Sequence, residues 1–234
     1  MRKLACIAPV FLLGAANARA YAIDERDPLT IIEETTAQIL ETLNARREEF
    51  TADPGQLRVI VREDLLPLID LEYSARLILG KAGRGVGAEQ LSAFSNAMSD
   101  VLINRYSDGL LEFRSDEQVE VLPLNGANTE KLTRIRTRIK LENGGFAPVD
   151  YSFRKTANGW KAFDVMVEGI SYVITFRNQI APRVEAEGIE KVTADILAGN
   201  LRIEEDGSGE RDDQQPGFRV EAAVGALRDS VTPG

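Results

Sequence analysis

The side chains that could do chemistry in this 234-residue chain are few, and their types decide most of the reading. There is no histidine anywhere, which removes Ser-His-Asp and Cys-His hydrolysis, His-ligated zinc and the usual general base near neutral pH. The single cysteine, Cys6, lies at the front of an apolar N-terminal stretch. Acid/base work would therefore fall to carboxylates, Lys or Tyr. Asp164 and Glu168, beside an apolar hairpin, are the pair on which an isomerase of the cone-shaped α+β type would rely. Strand alternation places both opposite Phe163, Val165 and Val167, so they read better as solvent-facing or loop-capping carboxylates. Asp206 to Asp213 has the composition of a calcium loop without its ligand spacing. Gly83, Gly85 and Gly87 follow no buried strand and precede no Lys-Ser/Thr, so they form a flexible connector rather than a phosphate loop. No cofactor and no metal are expected.

The N-terminus has a short basic start (Arg2, Lys3), an apolar run from Leu4 to Ala16, and Ala18-Arg19-Ala20 as a small-x-small cleavage site. This reads as a secretory signal peptide over residues 1–20, cleaved to begin the mature chain at Tyr21. Removing it leaves no cysteine, so stability rests on packing without disulfides. It also takes away Arg2, Lys3 and Arg19 from 28 basic residues and none of the 37 acidic ones, leaving 25 against 37 and a net charge of −12. A nucleic-acid partner is excluded on that balance.

The elements that must position any site follow from periodicity. Asp27-Pro28 reads as an N-cap with proline at the first helical position, followed by Leu29, Ile32, Ile39, Leu40 and Leu43 at helical spacing. Asp53-Pro54-Gly55-Gln56 repeats the device as a capping box. A short helix is expected from Asp70 to Leu79, ended by Gly80, and a longer one from Ala88 to about Phe113. Period-two patterning begins after Ser115. Glu117 to Leu122 is a candidate strand. Lys131 to Leu141 is a clearer one, with Thr133, Ile135, Thr137, Ile139 and Leu141 on one face and Arg134, Arg136, Arg138 and Lys140 on a wet one. That basic row is the candidate docking surface for anionic headgroups or an acidic partner. Asn143-Gly144-Gly145 then turns the chain into a hairpin built on Asn158-Gly159. Its arms present Val149, Tyr151 and Phe153, and Phe163, Val165 and Val167. Tyr172 to Glu187 and Ile189 to Ala198 close the pattern as helices. Helices first, an antiparallel meander second and helices last imply α+β. Residues 21–199 form one domain, and 200–234 an acidic, disordered tail.

Asp70-Leu-Glu-Tyr-Ser-Ala-Arg-Leu-Ile-Leu-Gly80, Glu89-Gln90 with Phe94, Tyr106, Val149-Asp-Tyr, Gly159-Trp160-Lys161, Asp164-Val165 and Val167-Glu-Gly-Ile-Ser171 resemble the MlaC family of periplasmic phospholipid carriers. The resemblance implies a cone-shaped, NTF2-like architecture, a twisted antiparallel sheet wrapped by helices around an apolar cavity that holds acyl chains. It implies two partners: an outer-membrane lipoprotein-porin complex and an inner-membrane ABC transporter with an MCE-domain subunit. It also implies a role in toluene tolerance and outer-membrane lipid asymmetry. Where the family has an aromatic pair after the Leu-Gly, this chain has Ala82-Gly83, which predicts a more mobile loop there. The expected lining is Val149, Tyr151, Phe153, Phe163, Val165 and Val167, joined by Ile170 and Val173 and faced by Phe94, Leu102 and Tyr106. A carrier of another apolar ligand, such as a sterol-like lipid, and the Asp164 or Glu168 isomerase stay open as alternatives.

Overall fold

The computed structural model describes residues 25–113, 118–124, 128–141 and 144–200. The expected signal peptide, the acidic tail beyond Asn200 and Asn143 of the expected turn lie outside these residues. Helix α1 (Pro28–Ala45) begins where expected, with the Asp27 carboxylate accepting from the Leu29 and Thr30 amides. It continues into α2 (Arg47–Ala52) and α3 (Pro54–Ile60). The capping box at α3 closes only by half. Asp53 accepts from the Gly55 amide, but its own N–H donates to Glu49 O and ends α2, leaving nothing for Gln56 to cap. A π turn over Val61–Leu65 and a 3-10 turn over Leu66–Leu68 bring the chain to α4 (Leu71–Leu79), capped by Asp70 on the Tyr73 amide.

The Gly83 connector is a run of tight turns seated on the helices, with Ala82 and Val86 packed against the helical core. A Cβ on Gly83 would lie 2.9 Å from Leu79 Cβ, so glycine lets the turn sit this close. Helix α5 (Ala88–Tyr106) stops short of Phe113, and Ser107–Glu112 tightens into a 3-10 turn.

Five strands follow: β1 (Val119–Val121), β2 (Leu132–Lys140), β3 (Phe146–Thr156), β4 (Gly159–Val167) and β5 (Ile170–Ser171). They pair in sequence order, every neighbour antiparallel. The fold is α+β, as the element order implies. Helices α6 (Tyr172–Glu187) and α7 (Ile189–Leu197) complete it.

Among the described residues, three apolar clusters hold these elements. One joins α4, α5, α6 and α7 around Leu79, Phe94, Ile180 and Val192. A second joins the end of α1 to α2, α3 and the end of α5 around Leu43, Phe50 and Leu57. In the third, Ile31 of α1 seals Ile135 and Phe153 on the inner face of the sheet.

Candidate functional site

The site is built on the β3–β4 hairpin, and its register contains the main departure from simple alternation. Ala157 and Asn158 occupy the corner, Gly159 supplies the positive φ of 97°, and pairing starts at Thr156 opposite Gly159. From that turn Phe153 faces Ala162. An unbroken ladder would then bring Tyr151 against Asp164 and Val149 against Met166. A bulge intervenes: Phe163 is the extra residue, Ser152 faces Asp164, and the register slips by one. Beyond it Tyr151 faces Val165 and Val149 faces Val167. The bulge thus puts two valines on the inner face in place of a carboxylate and a methionine. Phe163 itself stays off that face. Its ring meets Tyr73 of α4 edge-on at 5.2 Å, and its carbonyl accepts from Ser74 Oγ. The expectation that Phe163 shares a face with Val165 and Val167 is corrected accordingly.

Around Phe163 a clamp forms that the sequence reading missed. Arg154 pairs with Asp70 and lies 4.3 Å over the Tyr73 ring. Asp70 N donates to Ala162 O at 2.7 Å, and Lys161 Nζ donates to Pro67 O at 2.6 Å. These contacts dock α4 on the edge of β4. Both oxygens of Asp164 are engaged: one accepts from Ser171 Oγ at 2.6 Å and the other from the Val173 amide at 3.1 Å, fixing the start of α6. Glu168 is exposed in the β4–β5 turn, at a φ of 51°.

The inner face divides in two. Towards the hairpin tip, Ile135, Phe153, Trp160 and Ala162 are packed beneath α1. Towards the other end, Ile139, Val165 and Val167 are half-buried and Val149 is buried, yet none of the four joins an apolar cluster. Thr137, fully buried between these halves, donates to Val149 O at 2.8 Å. Tyr151 hydrogen-bonds to Thr137, and burial pushes its phenol above the ordinary tyrosine value despite that bond. Beside the β4–β5 corner, Tyr106 of α5 meets Tyr172 of α6 edge-on at 6.2 Å, and Tyr172 meets Phe176 at 5.6 Å. Leu102 is half-buried one turn before Tyr106.

The other expected lining residues are placed differently. Phe94 is fully buried among α4, α6 and α7, Val173 belongs to the same helical core, and Ile170 is exposed on β5. The Tyr172–Phe176 pair is not among the expected lining residues, although its i, i+4 spacing is visible in the sequence. A groove of about 400 Å³ opens between α4 and the hairpin tip, but Asp70, Glu72, Arg154 and Lys161 line it, which suits no acyl chain.

The profile of the MlaC protein family matches residues 33–197, from within α1 to the end of α7. The intermembrane phospholipid transport system binding protein MlaC of Haemophilus influenzae is 26% identical over 165 residues, covering 69% of this chain and 76% of that protein. Toluene tolerance protein ttg2D of Pseudomonas putida is 27% identical over 177 residues, 74% of this chain and 81% of that one. Among solved structures, a phospholipid-binding protein from Ralstonia solanacearum in complex with a phospholipid superposes with a TM-score of 0.64 at 20% identity, over 73% of this chain and 99% of that one. That last likeness is one of fold. With the family profile spanning the helical layer and the whole meander, this chain belongs to the MlaC family.

Proposed function

We propose that this protein is a non-enzymatic periplasmic carrier that holds phospholipid acyl chains against the inner face of its sheet. The observation that carries the reading is the apolar seam of Ile139, Val149, Val165 and Val167, which joins none of the three clusters of the described residues in a chain belonging to this family, with Tyr151 linking it to the cluster beneath α1. On this reading Tyr106, with Leu102 and Tyr172 at the margin of the helical core, faces it from the helices. A two-chain lipid in water exposes roughly 30 methylenes at about 0.8 kcal/mol each, on the order of 25 kcal/mol gross, so a carrier must replace the bilayer with such a surface. No nucleophile or general base is required for that task. An isomerase is disfavoured because Asp164 spends both oxygens on the start of α6 and Glu168 points from a surface turn.

The carrier takes its place in intermembrane phospholipid transport, as the names of its relatives suggest. An outer-membrane lipoprotein-porin complex stands on one side and an inner-membrane ABC transporter with an MCE-domain subunit on the other. Residues 1–20 serve as the cleaved export signal. Native mass spectrometry of the protein recovered from periplasm without detergent, followed by lipid extraction, tests the reading. A one-to-one adduct that extracts as phospholipid is expected. A clean apo mass or a small polar adduct overturns it.

A further inference from the structure

The inner face of the sheet is the one a carrier needs, yet the outer face has its own composition. On β2, alternation puts Leu132, Arg134, Arg136, Arg138 and Lys140 outward, and the exposure of Leu132 (48%), Arg134 and Lys140 shows that side to be open. Across the ladder, Lys140 faces Phe146 and Arg138 faces Pro148. Phe146 is 44% exposed and Pro148 is exposed as well. A continuous row of four cations on β2 is thus flanked by exposed apolar side chains, Leu132 at one end and Phe146 and Pro148 across the ladder at the other. Among the described residues, the carboxylates beside this row are engaged. Glu120 is taken by Arg138 at 2.6 Å, and Asp150 lies 4.0 Å from Arg134. Arg138 also lies 4.2 Å over the Phe146 ring.

We infer that this outer face is where the protein settles on a bilayer surface bearing anionic headgroups. A bilayer interface takes both kinds of side chain at once. Apolar groups enter the acyl boundary while guanidinium and ammonium groups reach phosphates on flexible stems. An acidic protein surface would match the cations but leaves Leu132, Phe146 and Pro148 without a purpose. The remainder of the chain is strongly acidic, so repulsion from an anionic surface orients the molecule with this face down. Binding through it is weak, reversible and salt-sensitive, as a carrier that must leave again requires. The inference leans on the carrier reading for its purpose but not for its test.

The test is flotation of the protein recovered from periplasm, cargo retained, with vesicles of phosphatidylcholine alone and of phosphatidylcholine mixed with phosphatidylglycerol. Attachment to the mixed vesicles, falling as salt rises, is expected. Arg134→Ala and Arg136→Ala should each weaken it by about fivefold, and Phe146→Ser should weaken what survives in salt. Arg84→Ala in the α4–α5 loop makes the same charge change elsewhere and should leave attachment intact. Absence of wild-type flotation, or flotation indifferent to the β2 variants, overturns the inference. Salt-sensitive capture of an acidic protein without vesicle binding overturns it in favour of a protein partner. Lipid extraction from the same samples separates the two readings: attachment without phospholipid cargo sinks the carrier, and cargo without attachment sinks only the docking face.

Discussion

Val165 and Val167 lie opposite Tyr151 and Val149, half-buried and outside every packed cluster, so a charge at either position has a selective effect. In the empty protein a glutamate there can turn to water. Against an acyl chain it must be desolvated, which raises the free energy of the loaded state by at least ~2 kcal/mol. Val165→Glu or Val167→Glu should therefore lower co-purifying lipid by more than about tenfold with an unchanged circular dichroism spectrum. Full lipid content in both variants would refute the assignment of this face. A second residue-scale effect concerns Glu168, the one non-glycine among the described residues with positive φ. It shares a two-residue turn with Gly169, at φ 51° and 83°, the conformation that favours Asn-Gly. Glu168→Asn should raise stability by up to about 1 kcal/mol in urea melts, because the amide side chain tolerates the left-handed region better than glutamate does. A loss of stability would mean that the carboxylate makes a compensating contact.

At the scale of elements, α4 meets the hairpin through charge as well as packing. Asp70 caps its own helix on the Tyr73 amide and at the same time pairs with Arg154, so one carboxylate ties helix start to strand. Arg154→Met keeps the aliphatic stem but removes the charged guanidinium that lies over the Tyr73 ring. It should cost roughly 1–2 kcal/mol and speed amide exchange at the start of α4 and around Ala162, leaving α7 unaffected. Uniform acceleration across the domain would instead assign the pair to global stability. Much of this level was legible in advance. Asp27-Pro28, Gly80 and Gly188 punctuate the helices strongly enough that α1, α4 and α6 begin or end within a residue of expectation. The bulge was not read, because Phe163, Val165 and Val167 alternate cleanly as a string. Only counting back from the two-residue turn exposes the conflict, since that register sets Tyr151 against Asp164. The Asp70–Arg154 pair spans 84 residues and has no local signature at all. The shortened α5 likewise follows from tertiary contacts: Leu110 and Leu111 turn inward to pack with α2 and α3, and a continuing α-helix would carry them off that face.

For the whole molecule, the three clusters are each complete without the seam of Ile139, Val149, Val165 and Val167. Among the described residues the seam joins no packed cluster, so on the proposed reading bound lipid would act as a fourth piece of core. A ligand that binds only the folded state adds RT ln(1 + [L]/Kd), about 2.7 kcal/mol at a hundredfold excess over Kd. For a domain of this size, roughly 2–4 °C of melting temperature accompanies each kcal/mol. Extracting the lipid should therefore lower the melting temperature by about 5–10 °C, and adding phospholipid back should restore it. The loss should also be local. Amides of β4, β5 and the first turn of α6 border the seam and should exchange faster in the lipid-free protein, while those around Phe94 and Val192 in the helical core keep their protection. Differential scanning calorimetry paired with hydrogen exchange reads both quantities. An unchanged melting temperature, or protection lost equally in the helical core, would mean that the cargo rests elsewhere and that the seam is closed without it.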